Sequence, residues 1–541
     1  MSLPSPSFLS YTPNALAFGT SGLRGLVSDI TDLETYINVK GALAYLFAIG
    51  DTKPGSGVVL AQDLRPSSDR ILLACIRAIE DSDCSVEYAG KIPTPALFLR
   101  ATKKRQCGVM VSGSHIPFDR NGIKINKSRG EVLKSDEAGI VEAVTRVRAE
   151  EYSKSADDSS FDEHGMLIDP PDSPSLNPTA EIEYVARYVS AFPKGMLSGK
   201  RILIYQHSAV GRDLLGKILG ALDAEVVTCG RSETFVPIDT ENISATELDL
   251  LQAYLLEAEA KGGSIDAIVS TDGDSDRPLV VAVLPKSEAR RVRFLSGDLL
   301  GVITAEYLNA DAASVPISTN DAVEIYAKAI SLTLEKTKIG SPYVVASIEK
   351  QRENKLFSRI VGWEANGGFL VGSKLVLEAG PLAPLPSRDS TLPILANFAA
   401  AIGRNESLSE LWDRLPARFG KAGLVDHFPV AASRAIVAAL TPKDGAVVTE
   451  SLTSNLEDLL ARFFTAGHGF GKAVRVDVLD GVRVWFENGD VAHIRPSGNA
   501  PQLRIYANAD TQARADQIVE LGLREPDGIL RTMQKSLGTT S

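Results

Sequence analysis

The sequence predicts a chain of layered α/β domains that closes with an antiparallel α+β domain. Three observations carry this. At 541 residues the chain is long enough for roughly three or four domains, each with its own core. Between about 58 and 260, short apolar runs alternate with helical periodicity, the pattern that layers helices on a sheet. From about Gly420 the pattern changes: in VRVWFENGDVAHIRPSG, Asn488-Gly489 sits between alternating segments, the residue pair of a two-residue hairpin.

Composition bounds the rest. Hydrophobic residues are 44% and charged ones 23% of the chain, an ordinary globular balance, and no apolar run approaches the ~18 residues of a spanning helix. The opening MSLPSPSFLSYTPN has neither a basic region nor an apolar core, so no signal peptide is expected and cytoplasm is the default location. Cys75, Cys84, Cys107 and Cys229 form no CxxC pair, which argues against a zinc site or a disulfide framework and for reduced core thiols. A formal net charge of -11 argues against nucleic acid or an anionic membrane as partner. A phosphate-bearing substrate would need positive charge gathered locally.

Taken in order, FGTSGLRG (18–25) sets three glycines around Arg24, a loop that can expose N–H groups while Arg24 reaches an anion. It matches neither the P-loop nor the dinucleotide pattern, and a plain turn is the competing reading. VVLAQD (58–63), a helix over 67–79 and SVEYAG make an αβ unit. It leads into GVMVSGSHIPFDRNGIKI (108–125), where apolar Val109, Met110 and Val111 read as a buried strand. The run stops at Ser112-Gly113-Ser114-His115, and Pro117 blocks continuation as strand or helix. The Ser114 hydroxyl therefore stands at a strand end. Gly113 permits close backbone approach, His115 can exchange protons, and Lys124 with Arg120 supplies positive charge. Strand, turn and strand is the bland alternative.

Residues 154–180, dense in Ser, Asp and Pro, read as a linker or a long surface loop. A second unit follows: RILIYQ (201–206), a helix over 213–222, AEVVTC, a helix over 247–260, then SIDAIVSTDGDSDRPLV with a strand over 265–269. Asp272, Asp274 and Asp276, separated by Gly273 and Ser275, can converge on one hard divalent cation. An EF-hand is excluded, because its sixth position would be Arg277 and its twelfth Val283. Arg277 beside the triplet favours a metal-plus-phosphate site over an acidic turn.

A third unit, from about 294 to 405, carries helices over 297–308 and 321–329 and a strand RIVG (359–362) opening into GWEANGGF. Glu364 and Asn366, among Gly362, Gly367 and Gly368, suit neighbouring hydroxyls such as a sugar presents; a polar turn is the alternative. EAGPLAPLPSRDS (378–390) reads as a hinge or linker. In the last domain the hairpin runs into Arg495, Pro496, Ser497, Gly498 and Asn499, and QLRIYANA adds Arg504. Two arginines, a hydroxyl, an amide and a glycine around one loop make a phosphate clamp, against a solvated turn. GHGFGK (467–472) has Ala466 where a P-loop needs Gly and reads as a turn.

In this order the loops resemble the α-D-phosphohexomutase superfamily, and more closely its phosphomannomutase and phosphoglucomutase members, over nearly the whole chain. SGSHIP and DGDSDR are the most specific of them. The resemblance implies three mixed α/β domains and a TBP-like fourth around a central active-site cleft, placed at 1–165, 180–290, 291–405 and 410–541. It implies that Ser114 carries a phosphoryl group and that Asp272, Asp274 and Asp276 hold Mg²⁺ against one of its oxygens. His115 and Lys124 would position groups and transfer protons, and Arg24 and Arg277 would flank the phosphoserine. Glu364 and Asn366 would grip sugar hydroxyls, while Arg495, Ser497, Gly498 and Asn499 would hold the phosphate not being transferred. The implied reaction interconverts mannose 6-phosphate and mannose 1-phosphate, with a hexose 1,6-bisphosphate as intermediate and activator.

Asn366-Gly367-Gly368 stands where the family usually has Ser-Gly-His, SGNAP replaces SGTEP, and Ile116 replaces a common Asn. These departures bear on the sugar rather than on phosphoryl chemistry, and the wording of the loops is nearer a bacterial phosphomannomutase branch than the phosphoglucosamine branch. Phosphoglucomutase or dual specificity is the runner-up. A Mg²⁺-dependent sugar phosphatase is disfavoured by the separate clamp, and a silent sugar-phosphate binder by the presence of Ser114 with all three aspartates.

Overall fold

The computed structural model describes residues 8–538 except 17, 20–21, 242, 444–446, 451 and 498–500. The chain forms two compact units, Met1–Ser314 with Gly340–Trp412, and Val315–Ile339 with Asp413–Ser541.

In the first unit the leading sheet runs, strand by strand, Phe18–Gly19, Gly22–Leu26, Arg120–Lys127, Cys107–Val111, Gly57–Gln62, Ser85–Lys91, with Gly130–Glu131 on the edge of Arg120–Lys127. Its parallel strands are buried throughout at Val58–Leu60 and Val109–Val111, as strands covered on both faces must be. Helix Ser68–Glu80 turns Ile71, Leu72, Cys75, Ile76 and Ile79 inward at helical spacing. Phe161 and Leu167, from the loop read as a linker, pack into the same core. Cys75, Cys84 and Cys107 are buried, Cys229 is partly so, and all are free thiols.

The expected Gly-rich loop at 18–25 is instead an antiparallel pair, Phe18 opposite Leu23, with Thr20 and Ser21 outside the described residues. Arg24 stands on a strand, opposite Gly122. Glycine serves close packing here: a side chain on Gly22 would come within 3.0 Å of the Lys124 Cα.

The second sheet runs Val292–Phe294, Pro278–Val283, Ala267–Thr271, Arg201–Tyr205, Glu225–Cys229. Residues 272–277 are the tight connection between the antiparallel strands Ala267–Thr271 and Pro278–Val283, whose last pair is Thr271 with Pro278. The first of these strands lies two residues later than its sequence suggests, so Asp272 follows it directly.

A third sheet places Ala312–Pro316 beside Ile360–Trp363, through residues 312–314, then Phe369–Val371, then Leu385–Asp389. The Glu364 loop is the hairpin between the middle two, closed by Trp363 and Phe369, whose rings stack at 5.8 Å. The segment 378–390 is therefore not a linker. It supplies the strand Leu385–Asp389, buried at Leu385, Ser387, Arg388 and Asp389. As the last strand of its sheet it has a ladder on one side only, so Pro386 is tolerated there.

The second unit contains an antiparallel sheet in the order Phe419–Val425, Leu503–Ala509, Val491–Pro496, Val482–Phe486, Ala473–Asp477, Val448–Thr449. Helices Val430–Leu440, Ser454–Ala461, Gln512–Leu523 and Ile529–Leu537 contribute to its core. The hairpin turns at Asn488-Gly489, with Gly489 at φ +84°. Among the described residues no helix is long and apolar enough to cross a membrane.

Candidate active site

The strand Cys107–Val111 ends at a loop whose shape is set from outside. Asp63, fully buried, accepts hydrogen bonds from the Ser112 hydroxyl at 2.8 Å and the Ser68 hydroxyl at 2.7 Å. The Ser112 oxygen in turn accepts from the Ser114 N–H at 2.8 Å. Arg65, ion-paired to Asp63 at 3.3 Å, donates to the carbonyls of Ser114, Ile116, Pro117 and Arg120 at 2.6–2.9 Å. Its guanidinium lies 3.8 Å from the Phe235 ring centroid. A Cβ on Gly113 would stand 2.7 Å from that guanidinium carbon, which is the physical reason for glycine there. Ser114 emerges in the left-handed region, φ +56°, with its hydroxyl buried.

That hydroxyl donates to Asp272 Oδ2 at 2.6 Å, with His115 Nδ1 at 3.4 Å. Asp272, Asp274 and Asp276 are all buried, with one carboxylate oxygen of each lying within 4.8 Å of the others. Asp272 Oδ1 accepts from the N–H groups of Asp276 and Arg277 at 3.1 and 3.2 Å. Asp274 takes the Thr94 hydroxyl and Lys124 Nζ, the latter at 2.5 Å; Lys124 also reaches Asp276 at 2.8 Å. Burial, reinforced by repulsion from Asp276 and Asp274, pushes the Asp272 carboxyl well above its ordinary range. Burial would raise Asp276 too, but Arg388, Lys124 and Arg277 outweigh it and hold that carboxyl far below the usual value. The Oδ1 atoms of Asp274 and Asp276 are buried without a hydrogen-bond partner. Three converging carboxylates, two of them with an oxygen that Lys124 and Arg388 leave without a hydrogen bond, fit a divalent cation, because only hard oxygen donors are offered.

Cations close the other side. Arg277 Nε lies 3.6 Å from Asp276 and 3.9 Å from Asp272, and it and Arg24 Nε and Nη2 are buried without hydrogen-bond acceptors. Burial, then the neighbouring Arg277 and Arg388, lowers Arg24 to about 10. Burial, then Arg277 and Arg24, lowers His115 to about 2, so its ring is neutral. Donors left unsatisfied beside a buried hydroxyl make an anion pocket.

Glu364, also buried, joins this cluster through Arg388, whose Nη1 bonds Glu364 Oε2 at 2.8 Å while its Nη2 and Nε bond Asp276 Oδ2 at 2.8 and 3.1 Å. Asn366 does not offer its whole amide to a ligand. Its Oδ1 accepts the Gly368 N–H at 3.0 Å and its carbonyl accepts the Thr240 hydroxyl at 3.1 Å, so it shapes its own loop.

In the second unit, Arg495 and Arg504 face each other directly across the antiparallel strands. Arg495 pairs with Asp480 at 3.0 Å, while Arg504 Nε is buried without a partner. Two cations opposed on one face destabilise a sheet unless an anion joins them. The Ser497 N–H donates to the Gln502 carbonyl at 3.0 Å; Gly498 and Asn499 lie outside the described residues.

Comparison with known proteins decides the family. Residues 15–151, 296–419 and 429–521 match the phosphoglucomutase/phosphomannomutase alpha/beta/alpha domain I, alpha/beta/alpha domain III and C-terminal domain, respectively. A phosphomannomutase of Salmonella muenchen is 36% identical over 509 residues, 94% of this chain and 95% of that protein. One of Sinorhizobium fredii is 37% identical over 509 residues, 94% and 98% of the two chains. The chain belongs to the phosphoglucomutase/phosphomannomutase family. Solved structures agree in fold: a family member from Burkholderia thailandensis superposes with a TM-score of 0.67 at 16% identity, covering 98% of this chain and 99% of its own. A Paramecium phosphoglucomutase in its open form gives 0.64 at 17%, covering 100% and 99%.

As a phosphohexomutase, the protein brings Ser114, His115, Lys124, Arg24, Arg277, Glu364 and the three aspartates together within its first unit. Sequence reasoning passed over Asp63, Arg65, Thr94 and Arg388. Asp63-x-Arg65 directly after a strand was a usable signal, since a charged pair at a buried strand end needs a partner. Arg388 had none, being hidden in a proline-rich segment.

Proposed function

We propose that the protein is a phosphomannomutase, moving a phosphoryl group between O6 and O1 of mannose through a phosphoserine at Ser114 and a hexose 1,6-bisphosphate. The observation that carries this is the Ser114 hydroxyl 2.6 Å from Asp272, one of a buried aspartate trio that Arg277 approaches at 3.6–3.9 Å. Two relatives named phosphomannomutase, at 36–37% identity over 94% of the chain, favour mannose over glucose.

Asp272, Asp274 and Asp276, with an oxygen of phosphorylated Ser114, would hold Mg²⁺, which supplies charge neutralisation for the transferring group. The chain's own residues do the remainder. A sugar hydroxyl attacks phosphorus, the bond to Ser114 Oγ breaks with its electron pair on Oγ, and the proton lost by the hydroxyl is relayed to Oγ, which regenerates the serine hydroxyl. His115 Nδ1, 3.4 Å from Oγ, is placed to pass that proton on to Oγ rather than to store it, and Lys124 sits beside the carboxylates. Arg24 and Arg277 donate to the phosphoryl oxygens as charge builds on them, which for phosphoryl transfer is most of what a protein contributes. Glu364 accepts from a sugar hydroxyl. The opposed Arg495 and Arg504 suit a phosphate of their own, a group that simple hydrolysis at Ser114 would not need, and this favours a mutase over a phosphatase.

The test is a coupled assay with Mg²⁺ and trace hexose 1,6-bisphosphate, offering mannose 1-phosphate and glucose 1-phosphate in parallel while following inorganic phosphate. Conversion to 6-phosphates with mannose preferred in kcat/KM is expected. Preference for glucose would make it a phosphoglucomutase, and release of phosphate instead would overturn the mutase reading.

A further inference from the structure

One planar guanidinium joins two loops that have different tasks. Arg388 is buried on the strand Leu385–Asp389 and engages one oxygen of Asp276, in the metal loop, and one of Glu364, in the hairpin 364–368. Its side chain has room only because position 368 has none: a Cβ on Gly368 would stand 2.7 Å from Arg388 Cδ, 2.9 Å from Cγ and 3.0 Å from Cβ. Asp276 Oδ1 is left without a hydrogen bond, with Arg277 Nε 3.6 Å away, so the fork fixes that carboxylate through Oδ2. Glu364 is fixed in the same way by Oε2.

We propose that Arg388 is a positioning residue that sets sugar discrimination, with Gly368 the small residue that admits it. The inference rests on the mutase reading above, with Glu364 as the hydroxyl acceptor. A carboxylate that reads a hydroxyl discriminates only if it is held still, because a swinging one accepts from whichever epimer is present. Arg388 refers the Glu364 carboxylate to the carboxylate that anchors the phosphoryl centre. The distance between sugar recognition and chemistry is thereby fixed by three hydrogen bonds from one rigid group. Lysine in its place would keep the charge but replace the fixed N–H directions of the fork with one freely turning ammonium.

The test uses the full chain as Arg388→Lys, Arg388→Met, Glu364→Gln and Gly368→Ala. For each, kcat/KM is measured with mannose 1-phosphate and glucose 1-phosphate, together with the Mg²⁺ concentration for half-activation and the melting temperature. Arg388→Lys, which keeps the buried positive charge, is expected to lose at least about tenfold in the ratio between the two sugars, a readout that a general loss of stability or of Mg²⁺ affinity would move equally for both and so leave unchanged. Glu364→Gln should lose a comparable amount, and the two together no more than either alone. Gly368→Ala should reduce the ratio by displacing the arginine stem. A parent ratio near one, or a ratio unmoved in Arg388→Lys and Glu364→Gln, overturns the inference while leaving the mutase standing. A parent that converts neither sugar removes the functional reading and this inference with it.

Discussion

Replacing Arg65 by methionine tests whether the serine loop is held from outside. Methionine keeps an apolar stem against Phe235 but removes the fork that binds the carbonyls of Ser114, Ile116, Pro117 and Arg120. It also strands Asp63, since both side chains of the 3.3 Å pair are fully buried. Breaking a buried pair from one side costs about 3–5 kcal/mol. The lost carbonyl bonds, at about 0.5–1.5 kcal/mol each, are part of the same event rather than an addition to it. The catalytic consequence is sharper. Ser114 occupies a left-handed conformation that its own chain does not favour, so without Arg65 the hydroxyl leaves its place beside Asp272. Misplacement by about 1 Å costs about 10²-fold in rate. Arg65→Met should therefore lower the melting temperature and reduce kcat by about two orders of magnitude, with KM for the hexose phosphate within a few-fold of the parent. The assay is the coupled mutase reaction beside a thermal melt. A variant that melts lower but keeps kcat within about threefold would refute the reasoning, for the loop would then be holding itself.

Ser114→Ala should abolish turnover by several orders of magnitude while moving the melting temperature little, since a single hydroxyl contributes about 1 kcal/mol; a marked loss of stability would count against its placement. Asp274→Asn should raise the half-activating Mg²⁺ concentration at least about tenfold, because the site's affinity follows its charge count, and a change under twofold would remove Asp274 from the metal set. Arg495→Ala should raise KM with kcat comparatively unchanged, and an unchanged KM would dismiss the clamp. His207 is buried at φ +28°, its Nε2 2.8 Å from the Thr271 carbonyl, and burial above all brings it down to about 4. The unfolded chain, with histidine near 6.5, takes up its proton first as pH falls, so stability should decline between about pH 6.5 and 4 by up to about 3 kcal/mol. His207→Asn, which tolerates positive φ, should flatten that part of a melting-temperature profile; an unchanged slope would assign the loss elsewhere.

What could be read in the sequence was whatever interrupts a pattern. Ser114 and Asp272 stand where apolar runs stop at small polar residues, and a polar residue at the end of a buried strand must find a partner there. Arg388 breaks no pattern that sequence can register. Its neighbours Pro381, Pro384 and Pro386 argue for a linker, and the edge position that excuses them is a tertiary fact. Arg24 was legible as an anion ligand but not as a strand residue, because the glycines around it suggest a loop whereas Gly22 and Gly122 permit two backbones to approach. Arg65 acts on carbonyls about fifty positions away in the chain, a pairing that only the fold brings about.

The serine loop and the metal loop are built alike, and that likeness explains how a hydroxyl and a carboxylate from different sheets stay 2.6 Å apart. Each follows a buried strand and turns through a serine in the left-handed region, Ser114 at φ +56° and Ser275 at φ +59°. Each turn is then pinned by neighbours rather than by its own ladder. The Ser275 hydroxyl accepts the Gly211 N–H at 2.9 Å, its carbonyl accepts the Ser390 hydroxyl at 2.7 Å, and the Thr94 N–H donates to the Asp274 carbonyl at 3.0 Å. Gly273, where a Cβ would meet the Ser114 carbonyl at 2.5 Å, allows the two turns to interlock. Strain at two serines is thus offset by bonds from four separate segments, counting Asp63 and Arg65 at the serine loop, and the donors and carboxylates are in place before any phosphate arrives, which is the condition for electrostatic catalysis without reorganisation.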